Sequence, residues 1–153
     1  MLSLIISSVA VLGIGAVYGA DMFFAVAGQT ALKRTGNAAL TEVMGRLHET
    51  ADARMPVFIM LGVLSSIAGA VLHFGMSSGW LSIAALVCLL VWLAVYFTVV
   101  QPVNRKLTQA AVEGSVLPDA KELQTRWDSV IVLRALLGAG ALVCSLLAAG
   151  LAQ

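Results

Sequence analysis

Asp21 stands inside a long apolar run, and a carboxylate at that depth costs roughly 3 kcal/mol or more unless it is paired, protonated or facing water. It is the only acidic residue in any apolar stretch of the chain, and Tyr18, Ala25 and Gln29 share its face at helical spacing. Such a residue either hydrogen-bonds helices together or marks a functional site. Arg134, near the start of the last apolar run and on one face with Trp127, Ile131 and Gly138, is the matching cation. It can reach Asp21 across a bundle or snorkel its guanidinium to an interface. Asn104 follows Pro102-Val103, with Thr98 and Gln101 on a nearby face; these groups line the mouth of a polar pocket or bind the carbonyls that Pro102 frees. His48 lies in a charged segment and His73 near the far end of another apolar run, so the two do not form one metal site. His73 with Met76 is two soft ligands without a third, and an interfacial histidine explains it better.

The elements that must hold these residues are set by composition. The 153 residues are 60% hydrophobic and 11% charged, against roughly a quarter charged in soluble domains, which defines an integral membrane protein. Four stretches have the roughly 20 apolar residues that a bilayer core requires: 4–27, 56–74, 80–100 and 130–151. The expected fold is an all-α membrane protein, one four-transmembrane-helix bundle over residues 1–153 with cytoplasmic helical extensions. The first run has no basic n-region and continues past Asp21, so it reads as a retained span, not a signal peptide. The net charge of +1 and the gathering of charges in two loops exclude a nucleic-acid-binding surface.

Lys33, Arg34, Arg46 and Arg54 lie between spans one and two, and Arg105, Lys106, Lys121 and Arg126 between three and four. The other loop and both chain ends carry no basic side chain, which predicts a cell-membrane protein with both termini outside and the charged loops cytoplasmic. Trp80 and Trp127 are then expected at opposite interfaces. Asn37 is a candidate cap for a helix whose stripe Leu40, Val43, Met44, Leu47 and Ala51 would lie on the membrane surface. Gly114 should end a continuation of span three, and Pro118-Asp119 with Glu122 resembles a capping box that starts the last helix early. Gly15 with Gly19, Gly62-Ser66-Gly69 and Ala141-Ser145-Ala149 are small-residue faces suited to close packing within the bundle or between copies in a homo-oligomer. Cys88 and Cys144 fall at comparable depth and are expected to be buried and inert.

Pro102-Val103-Asn104-Arg105-Lys106-Leu107, then Arg126-Trp127, then Arg134-Ala135-Leu136-Leu137-Gly138 resembles the signature of the anthrone oxygenase family of small four-helix membrane proteins. The resemblance covers most of the chain in layout and implies oxygen-dependent oxidation of a small aromatic substrate without a metal or organic cofactor. It points to Asn104, Trp127 and Arg134 as site residues. Family members commonly carry a histidine four residues after the tryptophan, where this chain has Ile131. On that basis Asp21 or His48 is the candidate general base, Arg134 and Asn104 the oxyanion stabilisers, Trp127 the stacking surface, and Tyr18 and Gln101 further substrate contacts. The competing expectation is a non-catalytic subunit or lipid-binding bundle that docks a partner protein, with membrane lipid or a lipid-like ligand against its faces. A proton-coupled carrier using Asp21 ranks last, because four unbroken spans leave little room for alternating access.

Overall fold

The computed structural model describes residues 1–152, and every regular element among them is helical. Helix α1 (Leu2–Phe23) passes through a wider π turn at Phe24–Gly28 into α2 (Gln29–Leu32). Helix α3 (Asn37–Arg54) continues through Met55 into α4 (Pro56–Leu72), where Pro56 takes the first turn, a position at which its missing N–H leaves no bond unmade. Helix α5 (Ser77–Val95) runs through a second π turn, Tyr96–Val100, into α6 (Gln101–Val112). Helices α7 (Ala120–Asp128) and α8 (Ile131–Leu151) form the last rod. The four rods of 31, 36, 36 and 32 residues are each long and apolar enough to cross a membrane. Their outward surface carries Leu12, Val71, Leu90 and Leu136, all exposed, as a lipid solvent requires.

Helix α1 packs on α4 and α8, and α5 packs on the same two, which closes an up-down-up-down ring. Beyond the ring, at the charged end, α3 packs on α6 and α7 touches both. Two cores follow. Ile14, Val17, Ile59, Val63, Leu89 and Trp92 fill the ring; Leu40, Met44, Val103, Leu107, Leu123 and Trp127 fill the lobe at the charged end.

Several sequence expectations are corrected. The α3 stripe does not lie on a membrane surface: α3 continues the α4 rod and turns Leu40 and Met44 onto α6, leaving Val43 and Leu47 exposed. Asn37 makes no cap; its Nδ2 donates to the Pro118 carbonyl at 2.7 Å, tying the two loops together. Asp119 occupies the N-cap of α7 without a side-chain bond, so no capping box forms. Gly114 does end α6, at φ +67°, with the Ser115 N–H on Ala110 O and the Gly114 N–H on Ala111 O in a Schellman closure. The close approach of α1 to α4 uses Gly13, where a Cβ would lie 2.6 Å from Phe58 O, while Gly15 and Gly19 have open space beside them. Cys88 and Cys144 are half-buried free thiols at the edge of the ring core. Trp127 is 4% exposed inside the lobe and is no belt residue; Trp80 is exposed.

Candidate functional site

Where the ring meets the lobe, buried polar groups join in one chain. Arg134 on α8 places Nη2 2.8 Å from Asp21 Oδ1 on α1, and the side chains are only 7% and 5% exposed. The other carboxylate oxygen accepts from Trp92 Nε1 on α5 at 2.7 Å. The guanidinium carbon of Arg134 sits 4.4 Å from the Trp92 ring centroid and 5.7 Å from that of Trp127, so the cation is held by a carboxylate and by two aromatic faces. One turn after Trp92, at the start of the second π turn, Tyr96 stacks on it with centroids 5.7 Å apart and planes 4° off parallel. Its hydroxyl donates to Asp52 Oδ1 on α3 at 2.8 Å. Asn104 Nδ2 on α6 donates to both oxygens of that carboxylate, at 3.0 and 3.1 Å.

The two π turns lie beside this chain. In each, the next residue reaches back five positions, Gln29 N–H to Phe24 O and Gln101 N–H to Tyr96 O. The second ends at Val100, two residues before Pro102, whose ring and missing N–H disturb the preceding turn of any helix. The first lets the Phe24 ring fold over Gly28, where a Cβ would come 2.4 Å from Phe24 Cδ1. That ring then meets Trp127 edge-on at 5.1 Å. His48 on α3 closes the other side of Trp127, with ring centroids 5.9 Å apart. In this part of α3, eight residues before the apolar span opens at Pro56, burial pushes the His48 imidazole down to about 4, against a smaller upward pull from Asp52.

Four fully enclosed polar atoms on these residues have no hydrogen-bond partner: Arg134 Nε, Trp127 Nε1, Asn104 Oδ1 and His48 Nε2. Because Asn104 Nδ2 must face the Asp52 carboxylate, its orphaned atom is the acceptor. Thus two N–H donors, a carbonyl acceptor and an imidazole nitrogen stand without partners.

The structure brings Asp21, Arg134, Trp127, His48 and Asn104 together and leaves the other two sequence candidates aside. Tyr18 is half-buried one turn before Asp21 and packs on Gly138 of α8, and Gln101 is half-buried at the start of α6; neither joins the bonded chain. Trp92, Tyr96 and Asp52 belong to the site and were missed. Their signal was present in spacing: Trp92, Tyr96 and Asn104 recur at multiples of four, as do His48 and Asp52. Among the described residues, no cluster of histidine, cysteine and carboxylate side chains could hold a metal ion.

The fold and this junction define a four-helix membrane protein with an aromatic-lined, ion-paired polar centre. Residues 44–144 match the model of the anthrone oxygenase family, and the chain belongs to that family. No curated protein matches, and no solved structure matches.

Proposed function

We propose that this protein binds a flat aromatic ketone bearing hydroxyl groups, of the anthrone kind, at the junction of ring and lobe and oxidises it with molecular oxygen. The observation that carries the reading is the set of four buried, unpartnered polar atoms on Arg134, Trp127, Asn104 and His48. Leaving one such atom unmet costs roughly 1–3 kcal/mol, so four on neighbouring residues are groups that a bound polar ligand would satisfy. Their chemistry matches the ligand class. The N–H groups of Arg134 Nε and Trp127 Nε1 are donors for a carbonyl that becomes an oxyanion, Asn104 Oδ1 accepts a phenol O–H, and His48 Nε2 takes the proton.

The chemistry balances as anthrone plus O2 giving anthraquinone plus water. Proton removal from the ring CH2 opposite the carbonyl leaves an enolate, which gives its electrons to O2 and forms a C–O bond. The proton returns to the terminal oxygen, giving a hydroperoxide; loss of the second C–H proton with O–O cleavage then releases water and forms the new carbonyl. Asp21 has both oxygens engaged by Arg134 and Trp92, so it positions the guanidinium, and His48 is the base. An enolate held beside the imidazole favours the charged His48 that results. Asn104 serves as an acceptor, since its donor is committed to Asp52. By the asymmetry of basic residues, the charged end faces the cytoplasm and the substrate enters from that side.

The test is oxygen uptake and quinone absorbance with purified protein in lipid nanodiscs, against heat-treated protein to remove spontaneous oxidation. Turnover in the wild type, reduced on the order of 100-fold or more by His48→Leu, supports the reading. No turnover above the heat-treated control contradicts it. Ile131, fully buried in the lobe at the position of the common family histidine, favours a second reading: a non-catalytic bundle that docks a partner protein, for which a copurifying chain would be the sign.

A further inference from the structure

A separate cavity of about 80 Å³ opens at the charged end of the molecule, lined by Leu32 and Lys33 after α1, Leu40 on α3, and Lys121, Gln124, Thr125 and Asp128 on α7. It has several times the space one water needs. Its depth is telling. Asp128 lies three residues before Ile131, where the apolar α8 begins, and Lys33 directly follows Leu32, where the α1 rod ends. Both belong at the level of lipid headgroups, just outside the hydrocarbon.

The lining is divided by charge. Lys33 and Lys121 are exposed and neither is within ion-pair distance of a carboxylate among the described residues, although the Lys33 charge acts on Asp128 from across the cavity. Gln124 is 3% exposed and donates Nε2 to Asp128 Oδ1 at 2.8 Å. That bond fixes the amide, so Gln124 Oε1 and the second carboxylate oxygen, Asp128 Oδ2, remain as buried acceptors with no partner. Two unmet acceptors ask for a cation with N–H donors. Two ammonium groups at the rim, neither in a direct ion pair, ask for an anion.

We propose that this cavity binds the headgroup of an ethanolamine phospholipid. The primary ammonium donates to Gln124 Oε1 and Asp128 Oδ2, and the phosphate lies against Lys33 and Lys121. The acyl chains run along the apolar outer surface of the α1 rod, where Val26 and Phe23 are exposed. A choline headgroup has no N–H to give and leaves both acceptors unmet; a glycerol headgroup lacks the charge that Asp128 calls for. Nothing in the oxidation proposed above depends on this site.

Native mass spectrometry of the detergent-purified protein, titrated with dioleoyl phospholipids differing only in headgroup, tests it. The expected result is phosphatidylethanolamine retained about tenfold more tightly than phosphatidylcholine or phosphatidylglycerol. Asp128→Asn should remove that preference, and the exposed-site double variant Lys33→Gln, Lys121→Gln should weaken the ethanolamine lipid about tenfold without depending on a buried change. Soluble phosphoethanolamine in excess should not displace the lipid. Equal retention of ethanolamine and choline lipids by the wild type, a preference that survives Asp128→Asn, binding unchanged by the lysine variant, or displacement by soluble phosphoethanolamine would each overturn the proposal.

Discussion

Between α1, α4, α5 and α8 close approaches recur at Gly13, Gly62 and Gly69 among Ile14, Val17, Val63 and Leu89, whereas between α3, α6 and α7 one such approach, Gly45 against Leu107 O and Ala111, stands among Leu40, Met44, Leu107 and Leu123. The difference follows from the solvent. Lipid is as apolar as leucine, so the ring gains little from removing apolar surface from its solvent and depends on close fit, both of backbones and of the side chains between them. The lobe has Glu42, Arg46 and Glu49 exposed on its far side, and its amphipathic helices gain from taking apolar surface out of water. The polar chain from Arg134 to Asn104 lies on the seam, with Asp21, Trp92 and Arg134 supplied by rods of the ring and Asp52, His48, Asn104 and Trp127 by the lobe. The seam is where groups that neither core would accept alone can be enclosed by both.

The sharpest way to break that seam is Asp21→Ala, which strands a buried guanidinium. A loss on the order of 3–5 kcal/mol is expected in denaturant unfolding of the detergent-solubilised protein, and replacing both partners with leucine should recover part of it. Next come two glycine changes that separate ring from lobe. A Cβ at Gly13 would meet Phe58 O at 2.6 Å, and one at Gly45 would meet Leu107 O and Ala111 Cβ, both at 2.4 Å. Each Gly→Ala should cost about 1–3 kcal/mol. Hydrogen exchange should show α1 and α4 loosening in the first case, and α3 and α6 with the ring intact in the second.

A pH series gives a similar or smaller effect confined to the lobe. Folded His48 titrates at about 4, and an unfolded imidazole near 6.5, so below 6.5 the unfolded chain binds more protons. Stability is therefore full above pH 6.5 and falls as pH drops toward 4, by on the order of 1–2 kcal/mol between pH 7 and 5. His48→Leu should flatten that part of the thermal-midpoint profile. The smallest effect is expected for Arg46→Ala, whose partners Glu42 and Glu49 are half exposed on one helix face; the thermal midpoint should stay within the scatter of the wild type.

The number of long apolar helices was legible because hydropathy over about 20 residues overrides local detail. The Asp21–Arg134 pair was legible as one of two alternatives, since a carboxylate and a guanidinium in apolar rods have few other partners. Helix rotation was not legible, and that explains the errors. Placing Trp127 at an interface required knowing that α7 turns it toward Phe24 and His48. Asp52 did not stand out among the charged residues of its segment, because the sequence does not show that Tyr96 and Asn104 would arrive opposite it after a π turn. Gly15 and Gly19 fit a packing motif that α1 does not use within the bundle, for the same reason.

The most direct measurement is tryptophan fluorescence of the protein carrying Trp80→Phe, which leaves only Trp92 and Trp127, titrated with an anthrone under anaerobic conditions in nanodiscs. The account predicts saturable one-to-one quenching that is lost in Asn104→Leu and kept in Arg46→Ala. Absence of saturable quenching, or quenching indifferent to Asn104→Leu, would show that the seam is a structural network and not a ligand site.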